Sequence, residues 1–251
     1  MQFRESLSAS DIQFILVLSI TALGYLGYYF LAFSHKNPLS IFKTKMDLMP
    51  EKGVAHVFFQ KLTGFFLMGI LPYTAALIFL PESPFHYGLT PQVQAANFIY
   101  IIVPSAILVV LNYFFAGKPE NLNQYPQMRI KTWTPRTISL NAFGWAIYLL
   151  GYEYLFRGVF FFGILPIVGL YQAIAINTIV YSLAHLSKGP KETLGSIPLG
   201  ILMCMITFKT GSIWATFLIH VAMAWSNEFF ALYHHPDMHF KKEEKWSKSV
   251  E

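Results

Sequence analysis

The chain alternates between long apolar stretches and short segments that hold most of its polar and basic residues. Most of the apolar stretches approach or pass the roughly 20 residues that a helix needs to cross the hydrocarbon core of a bilayer. The predicted spans are 12–33, 54–80, 95–116, 139–168, 170–186, 193–208 and 213–233. The pattern therefore predicts an all-α polytopic membrane bundle of seven transmembrane helices, or eight if the stretch 139–168 is divided at Gly151.

The composition supports this prediction. Apolar residues make up 55% of the chain and charged residues only 12%, which is about half the usual charged share of globular proteins. These values exclude a soluble enzyme, a secreted disulfide scaffold and a disordered protein. The apolar runs are continuous rather than alternating, so they do not favour a transmembrane β-barrel. Cys204 is the single cysteine and cannot form an internal disulfide.

Basic residues predict the orientation of the bundle. They are concentrated in the loop 34–52, the loop 118–136 and the tail 234–251, whereas the loop 81–92 contains no lysine or arginine. Positive loops stay in the cytoplasm, so the N-terminus is predicted outside and the C-terminus inside. The net charge of +5 is then explained by anionic lipid headgroups, and no nucleic-acid partner is expected.

The chain is predicted to be a single membrane domain that spans residues 1–251. Its N-terminal helices, 1–117, carry no candidate site residues, and the chemistry is concentrated in 138–233. There Glu153 and Arg157 lie four residues apart inside an apolar stretch, a spacing that places them on one face of a helix. A charge at membrane depth costs several kcal/mol, so such groups pair or line a wet cavity. We therefore expect both side chains to face the interior within salt-bridge reach.

Two histidines accompany this pair in other spans. His185 follows Tyr181 by one helical turn, and His220 lies within the last span. One reading of these groups is structural, as an ion pair and interhelical hydrogen bonds. The other is chemical, because a carboxylate and two histidines can activate water at a buried carbonyl. The chemical reading predicts that His185 and His220 approach the same cavity as Glu153, and that this cavity opens toward the cytoplasm.

No zinc-protease HExxH motif and no GxSxG motif occur in the chain. The absence of the first motif excludes a zinc protease of that type. Zinc stays an open alternative, because two histidines and a glutamate form a possible ligand set.

The motifs resemble those of the CPBP family, the CAAX prenyl endopeptidases and bacteriocin-processing proteins that are also called the Abi family. The resemblance covers about residues 141–233. The family pattern is Glu-Glu-x-x-x-Arg, then Phe-x-x-x-His, then His-x-x-x-Asn or Asp. This chain has EYLFRG, then YSLAH, then a histidine after a TGSIW turn. The resemblance implies an intramembrane endopeptidase with Glu153, His185 and His220 as catalytic residues and Arg157 in support. It also implies glutamate chemistry without a metal, so no cofactor is expected.

Two positions depart from the family pattern. The family's first glutamate, taken as the water-activating base, falls on Tyr152, and its Asn or Asp falls on Ala224. Asn227 lies seven residues after His220 on roughly the same face and could substitute for the second group. Tyr181 stands where the family has phenylalanine. If the ion pair with Arg157 prevents Glu153 from acting as a base, no obvious base remains. The resemblance then implies a non-catalytic scaffold or accessory subunit, as in γ-secretase.

The favoured hypothesis is an endopeptidase acting on a membrane-associated peptide or lipidated protein. In it Glu153 activates water, His185 orients that water and His220 faces the oxyanion. The alternative is a scaffold that binds a membrane protein partner. A small-molecule transporter is the least favoured reading, because the polar residues are confined to one half of the chain. Compact loops indicate a bacterial inner membrane.

Overall fold

The computed structural model describes residues 6–33, 53–90 and 97–241 and is almost entirely helical over these ranges. Ten α-helices are assigned there, and two of them are short. In chain order they are α1 Ala9–Phe33, α2 Val54–Phe65, α3 Leu71–Phe79, α4 Asn97–Phe115, α5 Pro119–Leu122, α6 Pro135–Glu153, α7 Gly163–Val168, α8 Leu170–Leu183, α9 Pro190–Thr210 and α10 Trp214–His234.

Two π-helical segments join neighbouring α-helices without a break. Phe66–Ile70 connects α2 to α3, and Tyr154–Phe162 connects α6 to α7. In a π-helix the hydrogen bonds run from residue i to i+5, and such segments are frequent at functional sites. Because α6 runs through Gly151 and continues as a π-helix, the alternative division of this stretch at Gly151 is not observed. Two 3₁₀ turns, Pro84–His86 and Leu186–Lys188, lie in loops.

Five helical segments of the described chain are long and apolar enough to cross a membrane. They are Ala9–Ala32, Val54–Phe79, Phe98–Phe115, Pro135–Val168 and Pro190–Thr210. The helix Leu170–Leu183 is apolar but shorter. These segments identify an integral membrane protein, while the count of seven or eight crossings stays a prediction. The basic loop 34–52 and the tail beyond residue 241 lie outside the described residues.

The stretch from α6 to α7 forms the centre of the bundle. Within Pro135–Val168, 72% of the most apolar window is buried, compared with 28% for α1 and 0% for the segment that forms α4. Helix α2 packs along α6, α1 packs against α7 and the second π-helix, and α8 and α9 form a helical hairpin. Helix α10 lies between α6 and the peripheral helix α4. The central stretch therefore contacts most of its neighbours directly, and its polar side chains are enclosed.

A small sheet fixes the chain after α10 to the linker before α6. Strand β1 (Thr132–Trp133) pairs in parallel with β2 (His239–Phe240). The backbone N–H of His239 donates to Lys131 O at 2.9 Å, and that of Lys241 donates to Trp133 O at 2.7 Å. These two basic segments were predicted on the same side of the membrane, and the structure places them together.

The opposite end of the bundle is closed by the loop after α3. Gly88 O accepts from Ile213 N at 3.0 Å, and Trp214 Nε1 donates to Leu89 O at 3.0 Å. The predicted break after α9 is confirmed. Gly211 has φ +63°, a left-handed conformation that favours glycine, and it separates α9 from α10.

Candidate functional site

The salt bridge predicted within the central stretch is present. Glu153 is the last residue of α6, and Arg157 lies in the π-helix that follows. Arg157 Nη1 is 3.5 Å from Glu153 Oε1, and neither side chain has any exposed surface. The prediction that both face the interior within salt-bridge reach is confirmed. Breaking such a buried pair leaves an uncompensated charge, so each residue holds the other in place.

A second donor reaches the same carboxylate from α10. His220 Nδ1 lies 2.7 Å from Glu153 Oε1, and the histidine is 5% exposed. A carboxylate only accepts, so Nδ1–H is the donor and Nε2 of a neutral His220 carries the lone pair. Glu153 Oε1 therefore serves both Arg157 and His220, whereas Oε2 is buried and makes no hydrogen bond to the described residues.

His185 lies in the turn that follows α8. Its Nδ1 donates to the backbone oxygen of Tyr181 at 2.9 Å, so Nε2 of the neutral ring is again the acceptor. The backbone oxygen of His185 accepts from Thr193 Oγ1 at 3.1 Å, which ties the turn to the first turns of α9. The helical hairpin thus fixes both the position and the tautomer of His185.

Tyr152 lies between the two histidines. Its ring centroid is 6.4 Å from that of His185 and 5.8 Å from that of His220, and both imidazoles stand nearly perpendicular to it. Tyr152 is 4% exposed. Both imidazoles therefore face one phenol, whereas the cavity that they were expected to share with Glu153, open toward the cytoplasm, stays a prediction. That phenol stands where the sequence resemblance expects the first glutamate.

The remaining face of Arg157 is held by aromatic packing. Arg157 Cζ lies 4.1 Å from the ring centroid of Tyr181, a cation–π distance. The Tyr181 ring in turn lies 4.6 Å from the ring of His185. Tyr181 therefore links the ion pair to the second histidine, which gives the expected aromatic position a defined structural role.

A buried amide supports the π-helix, and sequence reasoning missed it. Asn177 Nδ2 donates to the backbone oxygen of Phe156 at 2.6 Å, and Cys204 Sγ–H donates to Asn177 Oδ1 at 3.1 Å. A π-helix displaces carbonyls from the regular α pattern, so a side-chain donor at Phe156 O stabilises this geometry. An asparagine inside an apolar span was the available signal.

Two positions near the end of α10 differ in their surroundings. Ala224 is 8% exposed and packs in an apolar cluster with Trp145 and Leu149. Asn227 is half-buried, and the hydrogen bonds found around Glu153 in the described chain do not include it. Its neighbour Glu228 is the buried polar residue of this turn, with 5% of its surface exposed. The structure does not bring Asn227 into the site.

Within residues 6–33, 53–90 and 97–241, no group of three or more histidine, cysteine, aspartate or glutamate side chains is arranged to hold a metal ion. The tail histidines make other contacts. His235 Nε2 lies 3.4 Å from Arg129 Nη1, and His239 Nε2 lies 3.4 Å from Thr132 Oγ1.

Comparison with known proteins identifies the region that carries this geometry. Residues 134–226 match the family described as type II CAAX prenyl endopeptidase, Rce1-like. Over this segment the chain is similar to the Rce1-like family. The match begins at the start of α6 and ends within α10, so it contains Tyr152, the ion pair and both histidines. It confirms the family resemblance seen in the motifs, and the family is one of proteases. No curated protein and no solved structure matches the chain.

Proposed function

We propose that the protein is an intramembrane endopeptidase that hydrolyses a peptide bond of a membrane-associated peptide or lipidated protein. The observation that carries the proposal is the 2.7 Å hydrogen bond between Glu153 and His220 inside the Rce1-like segment. A carboxylate that fixes an imidazole through Nδ1–H leaves Nε2 oriented as a general base. This pair supplies the base that the tyrosine at position 152 does not.

The proposed reaction follows from that arrangement. His220 Nε2 accepts a proton from water as the water oxygen bonds to the scissile carbonyl carbon. The same proton then passes to the leaving amide nitrogen as the C–N bond breaks. Glu153 orients His220 and stabilises the imidazolium, and Arg157 holds Glu153. His220 is thereby assigned to proton transfer, whereas the sequence resemblance expects it at the oxyanion. The reaction requires no cofactor.

Two further groups have supporting roles in the proposal. His185 is assigned to orient the water, and its position beside the same phenol as His220 supports this role. The ring of Tyr152 packs against both imidazoles and supports their positions, and its hydroxyl takes part in no step of the reaction. The partners in this proposal are the bilayer and a peptide substrate. The compact loops support a bacterial inner membrane location, and the basic loops support a cytoplasmic C-terminus.

The test is cleavage of membrane peptides by the purified protein in detergent or proteoliposomes. The panel contains prenylated peptides ending in a CAAX sequence and leader peptides of bacteriocin type. Glu153→Gln should lower the rate by about 100- to 10,000-fold, because it removes the carboxylate that orients the base His220 and stabilises its imidazolium. Tyr152→Phe is the matched control and should retain most activity. Equal rates for the parent and Glu153→Gln would trace the cleavage to a contaminant and contradict the proposal.

A specific observation favours the alternative of a non-catalytic scaffold. Tyr152 fills the space between the two histidines, and Glu153 is fully enclosed by its two donors. The variant Tyr152→Glu separates the two functions, because it restores the glutamate of the family pattern. If the parent is inert and Tyr152→Glu cleaves peptides, the protein is a scaffold that retains the architecture of a protease.

A further inference from the structure

A second buried polar cluster joins α6 to α10, outside the site described above. Glu228 Oε1 accepts from Trp145 Nε1 at 3.1 Å and from the backbone N–H of Gln127 at 3.2 Å. Glu228 Oε2 accepts from Asn141 Nδ2 at 3.0 Å. All three residues are buried, and each is 5% exposed: Glu228, Trp145 and Asn141. Three donors therefore offset the cost of burying this carboxylate.

The counter-charge comes from α2. Lys61 is 3% exposed, its Nζ lies 3.2 Å from the ring centroid of Trp145, and it donates to Gln127 Oε1 at 3.0 Å. The ammonium thus lies on one face of an indole whose N–H points at Glu228. Opposite charges are linked through Trp145 rather than by direct contact. The cluster holds α2, α6, α10 and the linker before α6 together.

The two polar clusters have the same spacing on both helices. Trp145 precedes Glu153 by eight residues on α6, and Glu228 follows His220 by eight residues on α10. The two helices therefore run antiparallel, with two polar contacts about 12 Å apart along each axis. A slip of one residue displaces a helical side chain by about 1.5 Å and rotates it by about 100°. Such a slip between α6 and α10 would break both the Trp145–Glu228 and the Glu153–His220 hydrogen bonds. Both bonds therefore form in the same register of the two helices.

We propose that Glu228 is a positioning residue whose bonds to Trp145 and Asn141 set the register in which His220 meets Glu153. The consequence for catalysis rests on the proposed function, whereas the consequence for His220 geometry does not. A misplacement of about 1 Å lowers a catalysed rate by about 100-fold, so a register shift is visible in the turnover number.

Three variants separate positioning from general stability. Glu228→Ala removes both carboxylate oxygens, the acceptors of Trp145, Gln127 and Asn141. Glu228→Gln keeps one oxygen for Trp145 and Gln127. Its amide N–H can donate to Asn141 Oδ1 once the Asn141 amide turns over, because that oxygen is buried and has no hydrogen-bond partner among the described residues. Ser226→Ala is the matched control on the same helix. Ser226 Oγ accepts from Asn112 Nδ2 of α4 at 2.8 Å and does not face α6.

The measurement is the ¹⁵N NMR signal of His220 in histidine-labelled protein in micelles, assigned by its loss in His220→Gln. The Nδ1 signal should shift in Glu228→Ala and stay as in the parent in Glu228→Gln and Ser226→Ala. In the cleavage assay, kcat of Glu228→Ala should fall about 10- to 100-fold, with KM changed less than about twofold.

An unchanged His220 signal in folded Glu228→Ala overturns the proposal, as does an equal disturbance in Glu228→Gln and Glu228→Ala. If Glu228→Ala does not fold, Trp145→Phe replaces it, because that change removes one donor and leaves Glu228 with two. The same shift of the His220 signal is expected in Trp145→Phe, and its absence overturns the proposal. If the His220 signal shifts in Glu228→Ala while the parent cleaves no peptide, the positioning role is supported and the endopeptidase function is contradicted. The two failures are therefore distinguishable.

Discussion

At the scale of single residues, Glu153 has two donors on one oxygen and no contact with solvent. Arg157 and His220 both reach Oε1, from the π-helix and from α10. The spacing of four residues is enough to predict the contact with Arg157, because it is set by one helix. The contact with His220 joins residues 67 positions apart and depends on how two helices pack.

Loss of Arg157 should destabilise the fold. Arg157→Ala leaves Glu153 as a buried carboxylate with His220 alone, and breaking a buried pair costs about 3–5 kcal/mol. The free energy of unfolding in mixed micelles measures the effect. The control is the double variant Glu153→Gln with Arg157→Met, which removes both charges and should recover most of the loss. Equal stability of Arg157→Ala and the parent would show that the pair is not structural.

The residue scale also shows where sequence reasoning failed. Asn227 was expected on the face of His220, but Glu228 is the buried residue of that turn and was not singled out. The acid lies near the end of the last apolar stretch, where a charge is ordinarily assigned to the water interface. Its three donors come from α6 and from the linker before it, and no local pattern on α10 indicates them.

At the scale of elements, α6 approaches the first π-helix through two glycines. A Cβ on Gly151 would lie 3.1 Å from the backbone nitrogen of Gly69 and 3.1 Å from Phe65 Cα. These are backbone atoms and cannot move aside as a flexible side chain does. Small residues at helix contacts in membranes allow this close approach of backbones.

Gly151→Ala should therefore lower the thermal stability of the purified protein, because the methyl group forces α6 away from the Phe66–Ile70 segment. The matched control is Gly195→Ala in α9, where a Cβ would meet nothing within 4 Å. There alanine should be neutral or slightly stabilising, since glycine is a poor helix former. The melting temperatures of both variants check the prediction, and equal values would contradict it.

The π-helix depends on a contact from another element. Asn177→Leu removes the donor to Phe156 O and leaves a buried carbonyl unpaired, which should cost about 1–3 kcal/mol. Cys204→Ser should retain stability, because a hydroxyl can donate to Asn177 Oδ1 as the thiol does. Unfolding in denaturant compares the two variants. Loss of stability in Cys204→Ser without loss in Asn177→Leu would exclude the support that we assign to Asn177.

At the scale of the whole molecule, the described chain brings the basic linker before α6 and the start of the tail together at one end. The strand pair β1–β2 joins the linker before α6 to the start of the tail, and the loop after α3 meets the α9–α10 turn at the other end. This grouping agrees with the orientation predicted from the positive loops, with the linker and tail inside.

Cysteine labelling tests that orientation in intact bacterial cells. In a Cys204→Ala background, Ser83→Cys should react with a membrane-impermeant maleimide, and Lys131→Cys should react only after the membrane is permeabilised. Both positions are exposed, so access to the reagent depends on the side of the membrane. The reverse labelling pattern would place the N-terminus and the tail on the opposite sides.

The sequence by itself determined the helical membrane class, the order of the family motifs and the Glu153–Arg157 pair. Each of these is a local property, set by the length of an apolar run or by the spacing of residues on one helix. Only the tertiary structure decided that Tyr152 lies between the histidines, that His220 shares the carboxylate of Glu153 and that Glu228 joins α10 to α6. Those contacts depend on the rotation and register of packed helices, which spacing along one helix does not fix.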